Sequence, residues 1–164
     1  MLRRTLVPVI GLTLAVAATS VAAPALLKWP PWISIESPVN PFDASTRGAA
    51  FLVHAMLREG TPAMGDVTGT AEGLVNGARK TIPLRIDKTS HPGVFAVSKQ
   101  WPTEGTWLLR ISFHSTTALV AIDRNGNVGG ATIPTRTLSG SNDQVPRSVT
   151  ASEIDTMLAS AAKQ

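Results

Sequence analysis

The residues of this chain best suited to hold a metal ion are histidines and methionines, because it has 3 His and 4 Met but no Cys. His54 and Met56 lie two positions apart in an alternating segment, so both side chains project from one face of a strand. The same alternation places His114, which follows another apolar segment, on an outer face. Copper accepts imidazole and thioether ligands. We therefore expect a candidate copper site at His54, Met56 and His114, with Met64 in the adjoining turn as a further ligand. The alternative is that the histidines are solvated and Met56 packs beneath a loop or the terminal helix.

Familiar catalytic motifs are missing from the sequence. Neither Gly-x-Ser-x-Gly, His-Glu-x-x-His nor His-x-Glu occurs, and the 11 acidic residues are scattered singly, without the pair that marks a glycosidase. A calcium loop starting at Asp123 would need its closing Glu at the position of Pro134. A triad assembled from distant strands stays open, because that geometry is spatial. We expect a chain that is not an enzyme and has no resident cofactor, with copper as the alternative.

Composition restricts the compartment and the classes of partner. The absence of cysteine excludes disulfides, thiolate catalysis, cysteine-liganded zinc and iron–sulfur clusters. It fits a bacterial envelope protein better than a small disulfide scaffold. The formal net charge is +4, yet no basic run with interleaved aromatics suggests a nucleic-acid groove. We therefore expect no nucleic-acid partner.

The N-terminal segment has the order of a secretory signal peptide. Arg3 and Arg4 precede an apolar stretch and then small residues up to Ala23, which predicts a signal peptide over residues 1–23. Its removal lowers the formal net charge from +4 to +2. The alternative is a retained anchor, because residues 5–27 carry no charge and exceed the ~20 residues that a bilayer needs. Both alternatives export the remainder, to the periplasm, the cell surface or the medium, and only the second attaches it to a membrane.

Residues 24–134 carry apolar side chains at every second position over several short segments, the period of half-buried strands. Gly, Pro and Asn separate these segments at regular intervals, without intervening helical patterns. The expected fold is an all-β, immunoglobulin-like antiparallel β-sandwich. The expected inward-facing residues are Ile33, Ile35, Phe51, Val53, Ala55, Leu57, Ile82, Leu84, Ile86, Phe95, Val97, Trp107, Leu109, Ile111 and Phe113.

Three segments have more particular patterns. Glycines interrupt residues 63–75, which predicts an irregular edge strand there. Pro83 lacks an N–H to donate, so its strand is expected at a sheet edge. Asn125-Gly126 lies between two apolar runs and predicts a hairpin with a type I′ turn that closes the sheet.

The C-terminal part is predicted to hold a linker and a helix. Residues 135–149 are mostly polar without a period, which indicates a surface linker. Thr150 and Glu153 have the capping-box spacing, so a helix is predicted over 150–164. Its apolar stripe packs on its own domain or, alternatively, docks to a partner or a membrane surface. The stripe consists of Ile154, Met157, Leu158 and Ala161.

Three stretches between residues 49 and 113 resemble the YtkA-like and FixH-like exported bacterial domains. They are FLVHAMLREGTP at 51–62, GVF at 93–95 and PTEGTWLLRI at 102–111. The resemblance implies an immunoglobulin-like fold without catalysis. This chain departs from the FixH-like pattern in its additional C-terminal helix, and also in lacking a membrane anchor if its leader is cleaved.

Trp29 and Trp32 bracket a Pro-Pro pair directly after the leader. They either form an aromatic segment that a partner or the membrane interface recognises, or cover one end of the sandwich. We expect partner contacts on the outer face that bears His54, Met56 and Arg58, with Trp32 and the helix stripe as further candidates. The expected function is a non-catalytic binding or accessory domain of the bacterial cell envelope with an envelope protein as partner. The alternative is a periplasmic copper-handling domain.

Overall fold

The computed structural model describes residues 29–57 and 59–162. The predicted leader over 1–23, the partner role predicted for Arg58 and the last two residues of the predicted helix lie outside the described residues. Within them the elements are β1 Trp32–Glu36, β2 Phe51–Met56, β3 Thr68–Val75, β4 Ala78–Pro83, β5 Asp87–Lys88, β6 Val94–Val97, β7 Thr106–Phe113, β8 Thr116–Ile122, β9 Val128–Thr132, β10 Thr135–Thr137, β11 Gln144–Pro146 and α1 Ala151–Ala161.

Two antiparallel sheets enclose one core. The first has the order β1-β2-β6-β5, the second has the order β4-β3-β7-β8-β9, and β10 pairs only with β11. The predicted all-β sandwich with a short C-terminal helix is confirmed. Within the described part of the chain, no helix has the length and apolar character needed to cross a membrane.

Most of the residues that the two-residue period predicts to face inward lie in the core. Burial of such apolar surface contributes roughly 25 cal/mol per Å². Ile35, Ile82 and Ile86 are only partly buried against this core. The buried members that the period predicts are Ile33, Phe51, Val53, Ala55, Leu84, Phe95, Val97, Trp107, Leu109, Ile111 and Phe113.

Trp101 is a core residue that the period does not predict, because it lies in a loop between β6 and β7. Its ring centroid lies 6.3 Å from that of Phe51. Its indole N–H donates to the carbonyl oxygen of Gly126 at 3.0 Å. This bond satisfies the polar end of the buried ring and fixes the β8–β9 turn against the end of the core.

Leu57 does not face the core, so that prediction is wrong. Strand β2 ends at Met56, and the chain then turns: the Leu57 N–H donates to Thr61 O at 2.8 Å and the Gly60 N–H donates to Leu57 O at 3.0 Å. The alternation of strand faces therefore stops one residue before Leu57, which is left exposed.

The prediction of an irregular edge strand over 63–75 is also wrong. Strand β3 is regular and lies between β4 and β7, inside its sheet. Its glycines lie beneath large side chains of the neighbouring strand: a Cβ on Gly73 would come within 2.5 Å of the Trp107 ring, and one on Gly69 within 2.9 Å of Ile111 Cδ1. Glycine here makes room for the core rather than marking a disrupted strand.

Strand β4, which carries Pro83, is an edge strand as predicted. A two-residue turn joins it to β3, with Val75 opposite Ala78. Asn76 and Gly77 both have positive φ, 51° and 75°. This is the backbone that a type I′ turn requires, and it supports the right-handed twist of the hairpin.

The hairpin of β8 and β9 forms as predicted, but its turn is not type I′. The Gly126 N–H donates to Asp123 O at 2.9 Å, so Arg124 and Asn125 are the central residues, and of these loop residues only Gly126 has positive φ. The Asp123 carboxylate accepts from the N–H of Asn125 at 2.8 Å. This side-chain cap favours the longer turn over the two-residue turn.

Residues 135–149 contain a hairpin rather than an irregular linker. Strands β10 and β11 pair antiparallel, with Arg136 opposite Val145. Val145 and Val149 are buried. Their isolated positions in a polar segment give no period, so the sequence pattern missed the contact that orders this segment.

Helix α1 begins with the predicted capping box, in which the Thr150 hydroxyl accepts from the Glu153 N–H and the Glu153 carboxylate accepts from the Thr150 N–H. Ile154 and Leu158 are buried on the outer face of the five-stranded sheet, as the stripe predicts. Met157 and Ala161 remain exposed. The stripe that packs is therefore narrower than predicted.

Candidate binding surface

A group of apolar side chains lies exposed where β1 begins and β2 ends. Trp32 is 40% exposed and Leu57 is 46% exposed. Together they flank a cavity of about 300 Å³. We name this surface the tryptophan patch; its residues are Trp29, Pro30, Trp32, Met56, Leu57, Gly60 and Pro146.

Strand pairing explains why these side chains meet. Trp32 on β1 is the register partner of Met56 on β2. Their neighbours Ile33 and Ala55 are also partners, and both are completely buried. Because successive side chains alternate between faces, Trp32 and Met56 project together from the outer face.

Polar contacts fix the frame of the patch. The Thr116 hydroxyl of β8 donates to Pro31 O at 2.5 Å, which ties the proline segment to the opposite sheet. The turn at Leu57 places its side chain beside the start of β1. These contacts hold the patch in one arrangement. Little conformational entropy would therefore be lost if a partner bound there.

A second depression, of about 310 Å³, lies beside the patch, and Trp29, Pro30 and Pro146 line both. It extends over the β10–β11 hairpin. The exposed Arg136 on its wall forms no ion pair with any described residue. Its guanidinium gives this side of the surface an uncompensated positive charge.

Arg147 also lines the second depression, but its charge is paired with Glu153 of helix α1. The contact raises the pKa of Arg147. It lowers the pKa of Glu153 to about 2, first through the Arg147 hydrogen bond and next through hydrogen bonds from Thr150. The pair joins the hairpin to the helix.

The predicted copper ligands lie on different sheets. His54 and Met56 are on β2, and the His54 ring Nε2 lies 2.7 Å from the Glu36 carboxylate. His114 lies in the β7–β8 turn with φ of 51°, and its ring contacts Phe113 edge-on with centroids 4.5 Å apart. The His114 Nε2 would be 3.6 Å from a Cβ placed on Gly65, the residue that follows Met64.

No cluster of three or more His, Cys, Asp or Glu side chains occurs in the described part of the chain. Each histidine has a neighbour of a different kind: His54 contacts Glu36, His91 lies 3.5 Å from the Asp43 carboxylate, and His114 contacts Phe113. The copper set thus stays a prediction, and the structure brings His54 together with a carboxylate rather than with His114.

A buried carboxylate on the outer face of the five-stranded sheet is a feature that the sequence analysis missed. Glu72 is only 6% exposed and accepts hydrogen bonds from the hydroxyls of Thr70 at 2.6 Å and Thr81 at 2.7 Å. Arg79 pairs with it at 3.2 Å and also with Asp155 of helix α1 at 3.0 Å. These contacts connect the sheet to the helix that covers it. The only signal in the sequence is the alternation that places Thr70 on the same face of the strand as Glu72, because Thr81 and Arg79 come from the neighbouring strand.

No family model, curated protein or solved structure matches the chain.

Proposed function

We propose that the chain is an exported, non-catalytic binding or accessory domain of the bacterial cell envelope, and that the tryptophan patch is its binding surface. Export is supported by the basic, apolar and small-residue order of residues 1–23. Fractionation of the native cells, with N-terminal sequencing of the product, tests that part. An intact chain found only in the cytoplasm would contradict it.

The observation that carries the binding role is the exposure of Trp32 and Leu57 around a preformed cavity. Large aromatic side chains beside a cavity are typical centres of protein interfaces. An exposed apolar surface of this kind costs free energy in water unless a partner covers it. The resemblance to YtkA-like and FixH-like domains agrees with a binding role and stays a prediction.

The partner that best fits is an apolar segment of an envelope protein with an acidic residue at its flank. The patch supplies apolar area for the first part. Arg136, which no described residue pairs, supplies the charge for the second. Complementary charge at the rim of an apolar interface sets orientation and specificity.

Photocrosslinking in the native envelope tests this role. A crosslinking amino acid at position 57 is expected to give one discrete adduct, and the same residue at position 80, exposed on the other sheet, is expected to give none. Trp32→Ala should reduce the adduct from position 57 about tenfold or more, as loss of a central interface aromatic does. Equal yields at both positions, or an adduct that Trp32→Ala leaves unchanged, would contradict the role of the patch.

A further inference from the structure

The outer face of the five-stranded sheet carries an arginine in an unusual place. Arg110 lies on β7, the central strand, opposite Thr70 of β3 and Leu119 of β8. Its neighbours along the strand, Leu109 and Ile111, are completely buried in the core. Alternation therefore places the Arg110 side chain on the outer face, where it is half-buried beside the area covered by helix α1.

The guanidinium of Arg110 lacks the partners that such burial calls for. Its Nε is buried and has no hydrogen-bond partner in the described part of the chain, and Arg110 forms no ion pair there. A buried donor without an acceptor destabilises the fold, because it has lost its hydrogen bonds to water and gained none in return. Nearly all buried polar groups in folded proteins are satisfied, so the absence of an acceptor among the described residues is unusual.

The buried carboxylate on this face does not serve as that acceptor. Glu72 lies two residues along β3 from Thr70, the register partner of Arg110, and its oxygens accept from Thr70 and Thr81. Arg79 compensates its charge. Glu72 is thus satisfied without Arg110.

A depression of about 240 Å³ opens directly beside Arg110. Besides the guanidinium, its walls carry the hydroxyls of Thr68, Thr70 and Ser112. The Thr70 hydroxyl is committed to Glu72, and the Ser112 hydroxyl lies 3.4 Å from that of Thr117. None of the described residues that line the depression is acidic. Its walls are therefore rich in donors.

We propose that this depression binds a carboxylate group, with the Arg110 guanidinium as its principal donor and the Thr68 and Ser112 hydroxyls as secondary donors. The planar fork of arginine matches the two oxygens of a carboxylate. A bound carboxylate would pair with the terminal nitrogens of the guanidinium and supply the counter-charge that no described residue gives Arg110. The site lies on the other sheet from the tryptophan patch and does not depend on the proposed function.

Titration of the ¹⁵N-labelled protein with sodium acetate, followed by NMR at constant ionic strength, tests the proposal. Saturable shifts are expected for the Arg110 Nε–H and for the backbone amides of residues 68, 70 and 112, with a millimolar dissociation constant. Arg110→Gln should weaken acetate binding about ten- to a hundredfold, the effect of losing a charge-assisted hydrogen bond. Arg124→Gln removes the same charge from an exposed turn and should leave the binding unchanged.

A second variant keeps the test valid if Arg110→Gln folds poorly. Thr68→Val with Ser112→Ala retains the guanidinium and should weaken acetate binding severalfold. Inorganic phosphate at matched ionic strength distinguishes a carboxylate site from a general anion site. The proposal is overturned by non-saturating shifts in the wild type, by equal loss in Arg124→Gln, by full binding in the Thr68/Ser112 variant, or by a preference for phosphate.

Discussion

The outer face of the five-stranded sheet and the tryptophan patch both present apolar side chains, but among the described residues a helix covers only the first. Helix α1 buries Leu108 and Leu119 beneath Ile154 and Leu158. At the patch, Trp32 and Leu57 remain exposed on either side of a cavity of about 300 Å³. Within the described residues, one apolar face is therefore covered by a helix and the other stays exposed. This difference agrees with the proposal that a partner binds at the patch.

The largest expected effect is a difference in the free energy of unfolding between substitutions at the two surfaces. Leu119→Ala removes a buried side chain beneath the helix and should lower the free energy of unfolding by about 2–5 kcal/mol. Leu57→Ala makes the same chemical change at the patch and should alter it by less than about 0.5 kcal/mol. Urea unfolding of both variants measures the contrast. Similar losses would show that the patch is part of the folded core.

A smaller effect is expected at the start of the covering helix. Thr150→Ala removes the hydroxyl that accepts from the Glu153 N–H and should cost about 1 kcal/mol. Thr156→Ala deletes a mid-helix hydroxyl that donates to Ser152 O, and should cost less. Thermal unfolding compares the two variants. Equal losses would mean that the cap does not stabilise the helix on the sheet.

The stabilising contact between Glu153 of the helix and Arg147 should depend on pH. The pKa of Glu153 is about 2 in the folded chain against an ordinary 4.5. A carboxylate whose pKa is lowered by folding stabilises the fold above its ordinary pKa, and this contribution is lost as pH falls through the folded value. Glu153→Gln should therefore be less stable than wild type at neutral pH, with the gap closing between pH 4.5 and pH 2.

The control for this titration is Glu59→Gln, the same charge change at an exposed position. It should lower the stability at neutral pH less than Glu153→Gln does, because no described residue forms an ion pair with Glu59. A gap for Glu153→Gln that is constant down to pH 2 would contradict the assigned ion pair with Arg147.

The smallest effect is expected from copper. Because His54 contacts Glu36 and His114 lies on the other sheet, copper should give no measurable rise in the unfolding temperature. A metal that binds only the folded chain would raise it. Differential scanning calorimetry with and without copper measures this. A rise that His54→Gln abolishes would favour the copper-handling alternative instead.

The strand faces were predictable from sequence because burial on one face imposes a two-residue period, as at Phe51, Val53 and Ala55. The capping box at Thr150 was predictable because its chemistry is local. Strand β3 was not, since its glycines are explained only by side chains of the neighbouring strand, Ile111 over Gly69 and the Trp107 ring over Gly73. Contacts between distant segments leave no such local signature.

The candidate surface was predicted only in part, for the same reason. Met56 was expected on the outer face and Trp32 at a partner contact, and strand pairing brings the two together. Alternation assigns Leu57 to the core. That assignment is wrong because the strand ends one residue earlier, at Met56. The buried Glu72 and the unpaired Arg110 depend on which strands become neighbours, which composition and spacing do not specify.

The most direct test of the central claim is hydroxyl-radical labelling of Trp32 in the purified protein and in the native envelope. Phe42, which is 93% exposed, serves as an internal control. We predict that Trp32 is labelled in the purified protein and protected in the envelope, while Phe42 is labelled in both. Equal labelling of Trp32 in the two preparations would contradict the claim that a partner covers the tryptophan patch.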